Sequence, residues 1–335
     1  MTLLASIPVR HGAKASQMTE PFTILHGGFH KTASTFLQKT LQRNRGRLKK
    51  AGVHYVPHRD LRRSFTVPCQ QNAYQTIGIK RKTVLSDSQL LELSRTFFAP
   101  IAADPPARLL LSDENLAGHC GNCVKTGQLY RYRDAFMTSF SKAAPYPIKE
   151  IYLSVRNYAD FFAGAYVEYV RSLQDDSLQI TTPRTMCTRV FNHMPGWNGV
   201  INVVTKRFPQ AQVFVWRFED FVENDAMASA LLQRMVGDTV DVQSFTPPRE
   251  NSLRQSASAR AMVELERIAV TEGLPTMVAQ RQDIQSRYPR NGDNGRFDPW
   301  HDWERAHLDQ LYARDMARLR TNKSVTLLEP STILV

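Results

Sequence analysis

Along the chain, short apolar runs alternate with longer amphipathic stretches. Phe22 to His26 (FTILH) is an apolar, β-branched run that ends at Gly27-Gly28, which reads as a buried strand entering a tight loop. Thr35 to Lys50 reads as a helix with Phe36, Leu37, Leu41 and Leu48 on its apolar face and Gly52 beyond its end. Val53 to Val56 reads as a second strand, stopped by Pro57. Strand-like runs recur at Arg108–Ser112 (RLLLS), Ile151–Val155 (IYLSV) and Val213–Phe218 (VFVWRF). Helical patterns follow the last two, over about Tyr158–Ser172 and Phe221–Val236. The runs are apolar throughout, as strands buried on both faces require. Strands alternating with helices predict an α/β fold with a parallel central sheet and flanking helices. Beyond Pro247-Pro248 three helical stretches, about 256–271, 275–286 and 303–320, predict a helical C-terminal extension, with a polar loop from Tyr288 to Trp300. The pattern thus predicts a loose tail over 1–20, one domain over 21–322 and a C-terminal tail over 323–335, with no internal repeat or low-complexity tract.

Composition narrows the partners. The chain has 335 residues and a formal net charge of +12. Such an excess suits anionic ligands: nucleic acid, acidic lipid, phosphorylated small molecules or an acidic glycan. The basic residues are dispersed, without a long Lys/Arg run. No apolar run approaches the roughly 20 residues of a membrane-spanning helix. The apolar stretch Leu3–Val9 precedes Arg10, the reverse of a secretory signal, so a cytoplasmic location is expected. Four cysteines in so long a chain do not make a disulfide scaffold. Cys120-Gly121-Asn122-Cys123, beside His119, is a lone CxxC without a second pair to complete a zinc site, and it reads as a loop with two incidental thiols.

The most informative segment is Gly27-Gly28-Phe29-His30-Lys31-Thr32-Ala33-Ser34-Thr35-Phe36, between the first strand and the first helix. Backbone N–H groups at a helix N-terminus attract anions, and small residues let the backbone approach a phosphate closely. Lys31 adds a mobile charge; Thr32, Ser34 and Thr35 add hydroxyls. Lys31-Thr32 fits the end of a Walker A loop, but His30 stands where the motif requires glycine and Leu25 where its first glycine should be. Arg108–Glu114 (RLLLSDE) has the look of a Walker B strand, so a kinase or ATPase using ATP–magnesium is the alternative reading.

The stretch FTILHGGFHKTASTFLQ resembles the 5′-phosphosulfate loop of sulfotransferases that use 3′-phosphoadenosine-5′-phosphosulfate (PAPS), especially bacterial members with Gly-x-His-Lys-Thr-Gly-Thr/Ser-Thr. Ala33 stands in place of the usual glycine. Ile151–Arg171 is similar to the family's second signature, a strand ending in Arg followed by a helix with Ser eight residues on; here these positions hold Arg156 and Gly164. Asn291–Pro299 (NGDNGRFDP) resembles the Gly-Arg-aromatic loop with which some carbohydrate sulfotransferases cover the nucleotide. The resemblance runs in order over roughly residues 22–320. It implies a fold like that of the P-loop nucleoside triphosphate hydrolases and transfer of a sulfuryl group to a hydroxyl, or an amine, of an acceptor such as a carbohydrate. It also implies donor contacts from His30, Lys31, Thr32, Ala33, Ser34, Thr35, Phe36, Arg156, Gly164 and Arg296, with no metal and no nucleic-acid partner.

Sulfuryl transfer needs positioning, stabilisation of charge on the leaving phosphate, and a base for the acceptor. Lys31 is the expected electrostatic catalyst. Glu114, just past the third strand in Ser112-Asp113-Glu114-Asn115, is the expected base, with Asp113 and His119 as rivals. A non-enzymatic polyanion-binding module is the third reading of the +12 charge.

Overall fold

The computed structural model describes residues 20–174, 179–249 and 256–334. Six strands form one parallel sheet: β1 (Phe22–His26), β2 (Val53–Tyr55), β3 (Arg108–Ser112), β4 (Ile148–Val155), β5 (Gln212–Arg217) and β6 (Thr326–Leu327). Their spatial order is β2-β3-β1-β4-β5-β6. The chain therefore leaves β1 for one side of the sheet, returns through β3, and crosses to the other side at β4. The carboxyl ends of β1, β3 and β4 flank this reversal, the place where open α/β sheets bind ligands.

Both faces of the sheet are buried, which explains the uninterrupted apolar runs. Ile24, Leu110, Tyr152, Phe214 and Trp216 enter one core together with Leu37 and Leu41 of the first helix, Ser34–Arg43. Their neighbours Leu25, Leu109, Leu111, Leu153, Val213 and Val215 enter the other. Successive strand side chains point to opposite faces, so β1, β3, β4 and β5 each serve two cores.

The predicted strands stand within a few residues of their expected bounds. Two predicted helices are each divided in two. The first breaks at Asn44, whose amide nitrogen donates to the carbonyls of Thr40 (2.8 Å) and Thr246 (3.0 Å), giving Ser34–Arg43 and Arg45–Lys50. The second breaks at Asn224, giving Phe218–Glu223 and Asp225–Val236. The expected tail over 323–335 is corrected by the sheet: Thr326 and Leu327 pair with Phe214 and Val215, and the Leu328 N–H donates to the Val215 carbonyl at 2.7 Å. Two residues are too few to show a period, so the pattern alone does not mark them as a strand. The expected tail over 1–20 lies outside the described residues, apart from Glu20.

The C-terminal helices Ala259–Thr271 and Leu274–Arg287 pack on each other, and Asp302–Thr321 packs on Tyr158–Ser172. The buried Asp315 carboxylate accepts hydrogen bonds from the Tyr158 hydroxyl and the Trp197 N–H, tying this last helix to the main body. Among the described residues no helix is long and apolar enough to cross a membrane.

Candidate functional site

The loop between β1 and Ser34–Arg43 is held in an unusual backbone conformation. Lys31 and Ala33 both have positive φ (66° and 61°), a region that non-glycine residues enter at a cost of roughly 1–2 kcal/mol. Internal bonds maintain it. The Thr32 hydroxyl donates to the Phe29 carbonyl, and the Ser34 hydroxyl approaches the carbonyls of Gly28 (3.4 Å) and Phe29 (3.3 Å). These two hydroxyls, expected to face a ligand, are buried and brace the loop from inside. Thr35 is exposed, and Phe36 packs edge-on against Phe221. The N–H groups of Lys31, Thr32, Ala33, Ser34 and Thr35 have no hydrogen-bond acceptor among the described residues. A run of free donors at the start of a helix is an anion cradle.

His30 anchors the loop. Its Nε2 pairs with the Asn115 amide oxygen (3.0 Å), its Nδ1 with the Tyr130 hydroxyl (3.2 Å), and its own N–H also donates to that hydroxyl (3.1 Å). Burial lowers its pKa to about 4, so the ring is neutral. With both ring nitrogens engaged, His30 positions the loop through its side chain.

A second histidine lies beneath. His26, at the end of β1, is 1% exposed, stacks on Trp216 and pairs through Nδ1 with the Ser112 hydroxyl at 2.8 Å. Its Nε2 is buried without a partner among the described residues. It points at Gly28: a Cβ built there would lie 2.6 Å from it. Gly28 is thus needed for close approach. In the sequence His26 stands only as the end of a strand, and its signal there is that of a lone polar residue closing an apolar run.

Lys31 lies along the helix Tyr158–Ser172. Its aliphatic stem crosses Gly164, where a Cβ would stand 3.3 Å from Lys31 Cγ and Cε, and its ammonium reaches Glu168 at 3.7 Å. Gly164 therefore makes room for the lysine. Burial lowers the Lys31 pKa, and the Glu168 carboxylate opposes that shift. Glu168 was missed in the sequence because it lies 137 positions from Lys31 and belongs to no loop motif.

Arg156, at the end of β4, turns back to the same loop: its Nη1 donates to the Lys31 carbonyl at 2.6 Å. Its guanidinium lies 4.4 Å from the centre of the Phe218 ring, and its Nε is buried without a partner among the described residues. The strand end is further fixed by Glu219, which accepts from the Asn157 N–H (2.9 Å) and the Tyr312 hydroxyl (2.8 Å), while Arg217 pairs with Asp220. The late loop arrives here as well. Arg296 pairs with Asp160 at 2.5 Å, Arg305 joins the same carboxylate at 3.1 Å, and Phe297 stacks on Tyr166. Three segments far apart in sequence thus meet around the first turns of Tyr158–Ser172.

The acids after β3 serve another purpose. Asp113 is fully buried, and its Oδ1 accepts from Arg62 Nε (3.0 Å) and Nη2 (2.7 Å) and from the Asn115 N–H (3.0 Å). Burial raises its pKa. Glu114 pairs with Arg62 at 2.8 Å and accepts from the Gln38 amide at 2.8 Å. Burial pushes the Glu114 carboxyl up, but the Arg62 guanidinium, His30 and the hydrogen bond from Gln38 together outweigh it and hold the pKa at about 2. With both oxygens engaged and so low a pKa, Glu114 is a weak proton acceptor in this arrangement. Asp113 is shut away from any acceptor, whereas His119 stands exposed before the helix Cys120–Thr126. That helix replaces the loop expected at CGNC. Its two cysteines are free and buried, and burial pushes the Cys123 thiol up to about 12. Among the described residues no group of three or more His, Cys, Asp or Glu is placed to hold a metal ion.

The site therefore offers an anion cradle with one lysine, a half-buried arginine beside it, and a partly open carboxylate at the lysine's tip. Neither the family models nor the curated proteins contain a match to this chain.

Proposed function

We propose that the chain is a PAPS-dependent sulfotransferase, with a fold of the P-loop-like kind and a hydroxyl-bearing acceptor. One observation carries the reading: Arg156 bonds to the carbonyl of Lys31, so the two cations named by separate sequence signatures stand at one loop. The free N–H groups from Lys31 to Thr35 suit a phosphosulfate, and the unpartnered Nε of Arg156 suits the 3′-phosphate. Arg296 can join it by exchanging Asp160 for phosphate. Gly164, occupied by the lysine stem, is not a phosphate ligand in this arrangement.

Bound PAPS supplies an activated sulfuryl group and an adenosine bisphosphate leaving group. The chain's own residues position it and stabilise charge. On binding, the Lys31 ammonium exchanges the Glu168 carboxylate for the leaving phosphate, where it offsets negative charge. The acceptor proton needs a carboxylate that is open and near the lysine. Glu168 is held more loosely than Glu114: its contacts to Lys31 and Arg171 are 3.7 and 3.9 Å, against 2.8 Å for each of Glu114's bonds to Arg62 and Gln38, and its side chain is the more exposed of the two. The kinase alternative loses support at Asp113, because the acid that would serve magnesium is buried on Arg62.

The test is thermal. Adenosine 3′,5′-bisphosphate without magnesium should raise the Tm, because a ligand that binds only the native state stabilises it. Arg156→Ala should weaken that ligand by roughly 10- to 100-fold, the loss expected for a charge-assisted contact, and leave adenosine 5′-phosphosulfate little changed. A Tm rise with ATP–magnesium and none with the bisphosphate refutes the reading. Once an acceptor is found, Glu168→Gln should lower turnover more than Glu114→Gln; the reverse order returns the base to Glu114.

A further inference from the structure

Three helix ends meet away from the loop: the last turns of Cys120–Thr126 and Pro183–His193 and the first turn of Asp302–Thr321. Gly127 lets the first two close: it has φ 71°, and a Cβ there would fall 2.3 Å from the Arg189 carbonyl carbon. Arg189 Nη1 then donates to the Lys125 carbonyl at 2.6 Å, locking these two ends together. The third joins through Phe191, whose ring centre lies 5.2 Å from that of Trp303 and 5.7 Å from that of His307. Arg189 and Phe191 stand two positions apart, about 200° around the helix. Cations and aromatic rings therefore flank one helix end on opposite sides, and the helix stops at Met194, whose φ is 46°.

The aromatic side is wet. Trp303 is 63% exposed and Met194 45%, whereas the other three tryptophans, Trp197, Trp216 and Trp300, are buried. The basic side lacks counter-charge. Lys125, Arg131, Arg189 and His193 line one cavity without a carboxylate, and among the described residues none of the four forms an ion pair. Neutral groups hold them instead. The Lys125 ammonium lies 5.6 Å from the Tyr169 ring centre, the Arg131 guanidinium 5.7 Å from that of Tyr132, and the Gln128 amide nitrogen 3.3 Å from His193 Nδ1. A ring face positions a cation without cancelling its charge. Of the two acids beside Trp303, Glu304 is taken by Arg184 at 2.7 Å, which leaves the exposed Asp302. Four cations thus surround the exposed apolar side chains against one open carboxylate.

We infer that these helix ends dock on the surface of an anionic lipid bilayer, with Trp303 and Met194 in the headgroup region and the four cations against the lipid phosphates. Tryptophan favours that depth, where its ring is dry and its N–H wet. Lysine and arginine next to it gain from the negative surface. Single-stranded nucleic acid fits less well, because it calls for aromatic faces in succession along a cationic groove. Here the rings and the cations lie on opposite sides of a helix end. A second copy of the chain fits less well too, because a two-fold contact would bring the same four cations together. The inference stands apart from the transferase reading and uses none of its residues.

The experiment mixes the full chain with vesicles of equal parts phosphatidylglycerol and phosphatidylcholine, or of phosphatidylcholine alone. Three of the four tryptophans are buried, so a change in emission reports on Trp303. The anionic vesicles should shift that emission to the blue and shield it from acrylamide, and added salt should reverse the effect. Cosedimentation gives the affinity. Lys125 and Arg131 are exposed, so Lys125→Ser/Arg131→Ser should fold normally and bind roughly 30-fold more weakly, at roughly 5-fold per cation. Trp303→Ser should bind roughly 10-fold more weakly. Lys125→Arg/Arg131→Lys should retain affinity. Arg318→Ser/Lys323→Ser, which removes equal charge at the far end of Asp302–Thr321, should lose little. Equal binding to phosphatidylcholine alone, an unshifted Trp303, or equal loss in the Arg318→Ser/Lys323→Ser control overturns the proposal. A blue shift on concentrating the protein without vesicles assigns the surface to a second copy and overturns it. So does a single-stranded oligonucleotide that quenches Trp303 and displaces the vesicles.

Discussion

His26 gives the sharpest test of how the loop is supported. The ring is buried under Gly28, and desolvation lowers its pKa from 6.5 to about 4. The sign follows from linkage. A histidine with a depressed folded pKa contributes stability that is fully present above the unfolded value of 6.5. That contribution is lost as pH falls toward about 4, because the unfolded chain takes up the proton first. Two and a half pKa units amount to roughly 3 kcal/mol at full development, and roughly 1 kcal/mol of that is lost between about pH 7.5 and about pH 5.5. The perturbation is His26→Asn, which does not titrate and keeps a short hydrogen-bonding group near Ser112. Urea unfolding of both proteins at the two pH values gives the slope, and other titrating groups cancel in the difference. The wild type should lose roughly 1 kcal/mol more than the variant over this interval. Equal losses would mean that His26 is not held neutral, and the account of the buried imidazole would be wrong.

Other perturbations probe the same architecture. Ala33→Gly should raise stability by roughly 1 kcal/mol in chemical denaturation, because glycine accepts φ 61° without strain; a loss would show that the alanine methyl packs usefully. Arg62→Met should leave Asp113 and Glu114 without their shared cation, at a cost of about 3 kcal/mol near neutral pH. That cost should shrink as pH falls toward about 4.5 and a carboxylate takes up a proton; an unchanged cost would argue against the pairing. Gly127→Ala should lower the Tm strongly, since its methyl would meet the Arg189 backbone at 2.3 Å in a left-handed conformation; a normal Tm would show that the two helix ends can separate freely.

The sequence by itself determined β1, β3, β4 and β5, because each must fill two cores and so shows an apolar run; β2 was marked by its short apolar stretch stopped at Pro57. Lys31 was legible for a local reason: a phosphate loop needs small residues, a cation and a helix start within ten positions. Arg156 was legible because a charged residue closing a buried strand stands out. The rest depended on approach in space. The strand at Thr326–Leu327 is too short to show a period and exists only because the β5 edge offers it partners. Glu168 becomes relevant to Lys31 only because Gly164 lets the lysine lie across the helix. Glu114 looked like an open acid at a strand end until Arg62, 52 positions earlier, took its charge. Backbone pattern is written by local sterics and burial, and it survives in one dimension. The state of a charged side chain is set by whichever counter-charge the fold brings within a few ångströms, and only the tertiary structure decides which one that is.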